Sequence, residues 1–342
     1  MTLNQPVKKI RVSIGTAVIL GLEMAFMNRD NAPTTAYLQT YYPGRCAANC
    51  KFCAQAKTSE AKVDKIARGL YLPYDAELVI TRLKKAAKRK FIKRICIQTL
   101  NYSNLMNELL WVVNRLNAEV AAPISVSIFS VPAEQIKRLR DSGVQKIIIP
   151  LDAANEEIFD DIKGAKAAGP YRWESHLKAI HDAVEIMGKG NVGTHLMVGL
   201  GETEHEAVDL LAKLNDEGVY SALFAFTPIA GTRLAGGQPP SIESYRRIKL
   251  ANYLIYQNLT RAEKMLFNES GEIKDFGIAK EEVEKTIAHG EPFLTSGCPD
   301  CNRPFANETP EKKIYNFPVL PSEEELREIK KQVNVSKGAG VK

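Results

Sequence analysis

The sequence predicts an α/β fold built on a parallel sheet, and three observations carry that prediction. From Thr35 onward, short runs rich in β-branched and aromatic residues alternate with longer stretches whose apolar residues recur at helical period. Six such strand–helix units can be counted, too few for a closed eight-unit barrel. The 342 residues provide a sizeable core without covalent staples, as one large or two ordinary domains.

The elements follow in order. Lys8 to Ser13 alternates as a short strand, and Thr16 to Met27 reads as a helix packed on the core. The six strands of the repeat are expected at Tyr37 to Tyr41, Arg94 to Thr99, Ile124 to Ile128, Lys146 to Leu151, Val192 to Val198 and Ser221 to Phe226. Amphipathic helices are expected between them at Asp75 to Lys88, Leu105 to Asn117, Ala133 to Ser142, Trp173 to Met187 and Glu204 to Glu217, with a further helix at Ile242 to Asn258. Lys264 to Phe267 is a candidate for one more strand that would extend the sheet. The organisation expected is an N-terminal extension over 1–34 packed on the barrel, the barrel over 35–268, and a C-terminal extension over 269–342.

Composition excludes several classes. Apolar residues make up 45% and charged residues 25%, as in ordinary soluble globular proteins, and the net charge of +6 is mild. No nucleic-acid motif accompanies it. The Lys and Arg residues from Lys84 to Lys93 form either a solvated helix end or a docking site for an acidic partner. Ala17 to Met27 is too short to cross a bilayer and contains Glu23, and Met1 to Asn31 does not read as a cleavable leader. A cytoplasmic protein with neither nucleic-acid nor membrane partners is expected.

The chemistry concentrates in Arg45-Cys46-Ala47-Ala48-Asn49-Cys50-Lys51-Phe52-Cys53-Ala54. Three thiols spaced by three and then two residues can turn inward from one short loop, which suits an iron–sulfur cluster better than a disulfide. A four-iron cluster held by three thiolates keeps one iron open, and an open metal position is where a small molecule binds. The alternative joins Cys50 and Cys53 to Cys298 and Cys301 in a four-thiolate zinc site, but it spans a long separation and leaves Cys46 unused.

This loop resembles the signature of the radical S-adenosylmethionine (SAM) superfamily, with Phe52 as the aromatic residue before the last thiol. The resemblance implies a partial (βα)6 radical SAM barrel with N- and C-terminal extensions. It also implies a 4Fe-4S cluster with an open iron on Cys46, Cys50 and Cys53, and SAM as cofactor. In parallel α/β folds the ligand lies at the carboxyl ends of the strands. There, Pro150-Leu151-Asp152 resembles the NxD segment of biotin synthases, which implies that Asp152 contacts the ribose of SAM; the alternative makes Asp152 a helix cap. Val198-Gly199-Leu200-Gly201-Glu202 resembles a biotin synthase segment whose strand borders adenine, so Met197 either lines the cofactor pocket or packs in the core. The turn Thr227-Pro228-Ile229-Ala230-Gly231-Thr232 resembles the P-x-x-GT turn of radical SAM enzymes. Main-chain groups at Pro228 and Ile229 would then face adenine, unless the proline merely primes a turn. Gln98 shares a strand face with Cys96 and reaches toward the cofactor or satisfies a loop. His195 is given no role.

Cys96 is either a small buried hydrophobe or, as the resemblance to biotin synthase implies, a ligand of an auxiliary cluster that gives up sulfur. Biotin synthases carry further thiols on the third and fifth strands, and neither Ile124 to Ile128 nor Gly193-Thr194-His195 has one. The tail, however, contains Ser296-Gly297-Cys298-Pro299-Asp300-Cys301-Asn302-Arg303-Pro304, a CPxC knuckle whose turn points both sulfurs one way. Cluster, zinc or redox dithiol all remain open for it on spacing alone. The segment resembles the C-terminal extension of the two-protein, archaeal-type lipoyl synthases. That resemblance implies a second, auxiliary iron–sulfur cluster on Cys298, Cys301 and Cys96, with Ser296 and Arg303 the nearby candidates for a fourth ligand. It implies sulfur insertion into an octanoyl chain on a lipoyl-carrier protein or domain. The partners implied are that carrier, a second radical SAM lipoyl synthase component and an electron donor such as ferredoxin. A biotin-synthase-like mutase or cofactor maturase, a zinc-binding structural protein and an electron carrier are the alternatives.

Overall fold

The parallel strands are short and buried on both faces: every residue of Thr35–Thr40 and of Ile124–Ser127 is buried, the polar ones included. The computed structural model describes residues 6–25, 27, 32–304 and 314–333. Its main sheet contains β1 (Lys9–Ser13), β2 (Thr35–Thr40), β3 (Lys65–Ile66), β4 (Gly69–Asp75), β5 (Arg94–Gln98), β6 (Ile124–Ser127), β7 (Val144–Ile148), β8 (Val192–Val198) and β9 (Val219–Ala225). The spatial order is β3-β4-β1-β2-β5-β6-β7-β8-β9. From β2 to β9 every neighbouring pair is parallel, giving the six-stranded curled half-barrel, while β1 pairs antiparallel with both β2 and β4 at one edge.

Helices α1 (Ile14–Ile19), α2 (Ala76–Lys88), α3 (Leu105–Glu119), α4 (Ala133–Asp141), α5 (Glu156–Ile162), α6 (Trp173–Met187), α7 (Glu204–Asp216) and α8 (Ile242–Tyr256) accompany this sheet. At α1, α2, α5, α7 and α8 a side chain at the helix start accepts from a backbone donor. Asp75 Oδ1 accepts from Leu78 N at 2.9 Å at α2, and Thr203 and Glu206 form a reciprocal capping box at α7. The helix expected over Thr16 to Met27 stops at Ile19, because Gly21 adopts a left-handed φ of +66° and turns the chain. Lys264 to Phe267 does not extend the main sheet. Only Leu266–Phe267 is extended, as β10, and it pairs with β11 (Ile273–Asp275) in a separate two-stranded sheet. The parallel sheet therefore stays open at six strands.

Beyond the sheet, α9 (Lys280–His289) and α10 (Glu323–Val333) form a second apolar cluster with α8, including Phe293, Phe317 and Ile329. Two buried cations on α8 fasten the tail there. Arg246 Nη1 donates to Tyr315 O at 2.7 Å and its guanidinium lies over the Phe317 ring, while Lys249 Nζ bonds Leu294 O and Asn316 Oδ1. Hydrogen bonds to charged groups are worth about 1.5–3 kcal/mol each. This anchoring delivers the segment from Thr295 to Arg303 to the amino-terminal end of the barrel. Among the described residues no helix is long and apolar enough to cross a membrane.

Candidate functional site

The cysteine loop leaves the carboxyl end of β2 and is held on all sides by main-chain bonds. Cys46 N donates to Gln55 O at 3.0 Å, Ala47 N to Asn101 O at 2.8 Å, and Lys51 N to Ile162 O at 2.7 Å. Side chains reinforce them: Arg45 donates to Ala54 O and Ala61 O, and Arg233 reaches Asn49 O and Ala167 O. A loop fixed from three neighbouring connections presents its thiols in one arrangement. Asn101 N also donates to Cys46 Sγ at 3.2 Å. Hydrogen bonds to sulfur stabilise the thiolate that metal ligation requires.

The three thiols line a cavity of about 930 Å³ together with Phe52, Gln98, Asp152 and Met197. Pro228 and Ile229 are not among the residues lining it; Thr227 is, and the Ile229 carbonyl accepts from Thr232 N and Oγ1. Asp152 is not a helix cap. That place is taken by Asn155, whose Oδ1 accepts from Ile158 N at 2.9 Å. Asp152 instead bridges from β7 to β8: its N donates to His195 O at 2.8 Å and its O accepts from Met197 N at 3.1 Å, with φ at +66°. A non-glycine residue held in this region is strained, and such strain gathers at functional sites.

Lys163, which the sequence reading passed over, pairs with Asp152. Its Nζ lies 2.7 Å from Asp152 Oδ2 and 2.8 Å from Pro150 O, beneath the Phe159 and Tyr171 rings. Burial pushes the Cys50 thiol up, and the Lys163 ammonium draws it back down. Burial likewise pushes Cys53 up to about 11. In a buried set of thiolates Lys163 is a compensating cation. Removing one member of a buried pair costs about 3–5 kcal/mol. We therefore expect Lys163→Met to lose that much stability in denaturant unfolding. Adding Asp152→Asn should recover part of it, since the stranded carboxylate is then gone; equal losses in single and double variants would show that the pair is uncoupled.

The other three thiols form a second group. Cys96 on β5 interacts with Cys298 and Cys301, and Cys301 N donates to Cys298 O at 3.1 Å within the knuckle. The knuckle is sewn to the starts of β2 and β5 and to the interior of β9. Thr34 Oγ1 and Thr35 Oγ1 donate to Asp300 O at 2.7 and 2.9 Å, Arg94 Nε to Pro299 O at 3.0 Å, and Leu223 N to Ser296 Oγ at 2.9 Å. Around the sulfurs, Tyr220 Oη lies 3.0 Å and Ser125 Oγ 3.4 Å from Cys298 Sγ, and Tyr37 Oη lies 3.5 Å from Cys301 Sγ. Gly193 makes room for Tyr220, since a Cβ there would stand 2.4 Å from its ring. Burial raises the Cys96 and Cys301 thiols while Arg303 draws both down.

Arg303 and Tyr37 stand between this group and the cavity, and both line the cavity wall. The Arg303 guanidinium lies 3.9 Å over the Phe224 ring and donates to Ser296 O at 2.7 Å. Ser296 spends its hydroxyl on Leu223 N. His195, given no role from sequence, also lines the cavity, packed edge-on to Phe224; burial lowers it to about 4, so it is neutral at pH 7.

The six thiols thus divide three and three, and the grouping of Cys50 and Cys53 with Cys298 and Cys301 does not occur. Among the described residues, no three Cys, His, Asp or Glu side chains converge on the space of a single ion. A tetrahedral zinc needs each sulfur about 2.3 Å away. A four-iron cluster spreads its thiolates over separate corners, which suits loops like these better.

Comparison with known proteins agrees with this geometry. Residues 41–214, half of the chain, match the model of the Radical SAM superfamily. The biotin synthase of Brachyspira hyodysenteriae is 25% identical over 212 residues, covering 60% of this chain and 59% of that protein. That of a Picosynechococcus species is 29% identical over 215 residues, covering 60% and 54%. The chain thus spans little more than half the length of these relatives. Among solved structures, HydG, a maturase of the FeFe-hydrogenase, superposes with a TM-score of 0.50 at 14% identity over 71% of this chain and 54% of its own, a likeness of fold. With the half-barrel, the cysteine loop at the carboxyl ends of its strands and the match over half its length, this chain belongs to the radical SAM superfamily.

Proposed function

We propose that this protein inserts sulfur into a protein-bound octanoyl chain, as one component of a two-protein lipoyl synthase. The observation that carries the reading is the second group of thiols, Cys96, Cys298 and Cys301, held inside the amino-terminal end of the barrel by the tail. A radical enzyme that only rearranges or cleaves its substrate needs the first group alone. The donor sets fit the groups implied: free thiols, Asn101 N directed at Cys46 Sγ, Lys163 as counter-charge, and hydroxyls of Tyr220, Ser125 and Tyr37 around the second set.

When bound, an iron–sulfur cluster on Cys46, Cys50 and Cys53 supplies the electron that splits SAM to a 5′-deoxyadenosyl radical, and one on the second group supplies sulfur. The chain's own work is positioning and exclusion. Phe52, Asp152 and Met197 would hold the cofactor on the cavity wall, Asp152 being fixed in place by Lys163. Neutral His195 and the Phe224 ring offer no readily transferred hydrogen next to a reactive carbon. Arg303 and Tyr37, joined by the bond from Arg303 N to Tyr37 Oη, form the cavity wall beside the second group. The partners proposed are an octanoylated carrier domain, a second radical SAM component and a low-potential electron donor such as ferredoxin.

The test incubates the anaerobically reconstituted protein with SAM, a reductant and an octanoyl-lysyl peptide, and reads the peptide by mass spectrometry. Gain of one sulfur is the expected result. Formation of 5′-deoxyadenosine with no thiolated peptide would overturn the reading in favour of a sulfur-free reaction.

A further inference from the structure

We propose that the basic end of α2 is the docking surface for an acidic carrier domain, whose apolar chain enters the cavity through a mouth lying beside that surface. The nature of the chain rests on the sulfur-insertion reading; the surface and the mouth rest on the following observations.

Lys84, Lys85, Lys88, Arg89, Lys90 and Lys93 are all exposed, and Phe91 in their midst is 56% exposed. Among the described residues, Lys84 and Lys93 make long ion pairs, to Glu119 at 3.9 Å and to Asp300 at 3.6 Å, and none is formed by Lys85, Lys88, Arg89 or Lys90. The helix dipole accounts for cations in the last turn, Lys85 and Lys88, but not for Lys90 and Lys93 beyond it. Lys90 takes a left-handed φ of +60°, which ends the helix and turns Phe91 outward. A lysine in that conformation is disfavoured relative to glycine. An exposed aromatic flanked in sequence by cations, four of which form no ion pair among the described residues, is what a protein partner of opposite charge would fit.

The cavity wall adjoins this surface through the backbone. Lys93 N donates to Thr34 O at 2.8 Å, and Pro33, next in the chain, lines the cavity. The wall on this side includes Ile14, Gly15, Val18, Ile66 and Leu70, which are apolar, with Ser13 and Arg68 the polar residues among them. A Cβ at Gly15 would rest in ordinary contact with Pro33 at 3.4 Å, so a leucine there would add bulk at this part of the wall. A carrier bound at Phe91 would stand near the Pro33 wall of a cavity that extends to the thiols of Cys46, Cys50 and Cys53.

The experiment measures binding of a fluorescently labelled acidic carrier domain, with and without octanoyl-lysine, to the full-length protein by anisotropy. A Lys88→Glu, Arg89→Glu, Lys90→Glu variant, altered only at exposed positions, is expected to bind about tenfold more weakly or worse and to lose the salt dependence of the unaltered protein. Gly15→Leu is expected to bind the carrier but no longer prefer its octanoylated form. Equal binding by the unaltered and charge-reversed proteins, or no binding by either, would overturn the docking surface. The free octanoyl-lysyl peptide separates this from the functional reading: it needs no docking surface, so its thiolation persists if only the docking inference fails. If the carrier binds as expected and the peptide is never thiolated, the sulfur-insertion reading fails while the surface stands.

Discussion

Cys50→Ala is expected to reduce 5′-deoxyadenosine formation to the background of protein stripped of iron. Cys50 is the middle thiol of a loop whose ends are fixed by Asn101, Gln55 and Ile162, so no neighbour can move in to replace it. Its loss also strands Lys163 and Asp152 beside an incomplete donor set. Metal binding contributes to folded-state stability, so the reconstituted variant should also unfold at lower temperature than the unaltered protein. The check is chromatographic quantification of 5′-deoxyadenosine under reducing, oxygen-free conditions. A rate within about tenfold of the unaltered protein, equivalent to about 1.4 kcal/mol of barrier, would mean that Cys50 is not a ligand.

The second large effect is expected at the tail. Cys298→Ala combined with Cys301→Ala should leave SAM cleavage largely intact and abolish sulfur transfer. The two groups of thiols are held by different parts of the chain: the first by loops at the carboxyl ends of the strands, the second by Thr34, Thr35 and Arg94 at the other end and by Leu223 within β9. Independent supports predict separable losses. Deoxyadenosine and thiolated peptide measured on one sample decide it, and thiolated product from the double variant would remove the tail from the chemistry.

The architecture was legible because its signal is local. Val192–Val198 and Trp173–Met187 are found where period and composition put them, since a doubly buried strand and an amphipathic helix each announce themselves within a dozen residues. At the half-barrel edge β1 was legible, as Lys8 to Ser13, but β3 and β4 were not. β4 contains Pro73 and an early Gly69, and it becomes a strand only by pairing with β1, some sixty residues earlier in the chain. Likewise, nothing local separates Thr16 to Met27 from a longer helix except Gly21, whose left-handed φ ends it.

At the site, the two cysteine motifs stood out by spacing, because the thiols of one loop lie close in sequence. The residues that tune them did not. Lys163 follows a short helix and carries no motif, and its partner Asp152 lies on another element. Tyr220 reaches Cys298 only because Gly193 on the adjacent strand lacks a side chain, a relation fixed by register. Arg303 was visible as a neighbour of the knuckle, but its stacking on Phe224 at the cavity wall belongs to the tertiary fold alone. Strand alternation did carry one such inference, that Gln98 and Cys96 share a face: Gln98 lines the cavity and Cys96 joins the tail thiols two residues nearer the strand's start.

The measurement that tests the central claim most directly is the iron and sulfide content per chain after anaerobic reconstitution, for the unaltered protein beside the Cys298→Ala, Cys301→Ala variant. Two four-iron clusters predict about eight irons in the first and about four in the second. About four irons in both would contradict a second cluster on the tail, and with it the sulfur donor on which the proposed function depends.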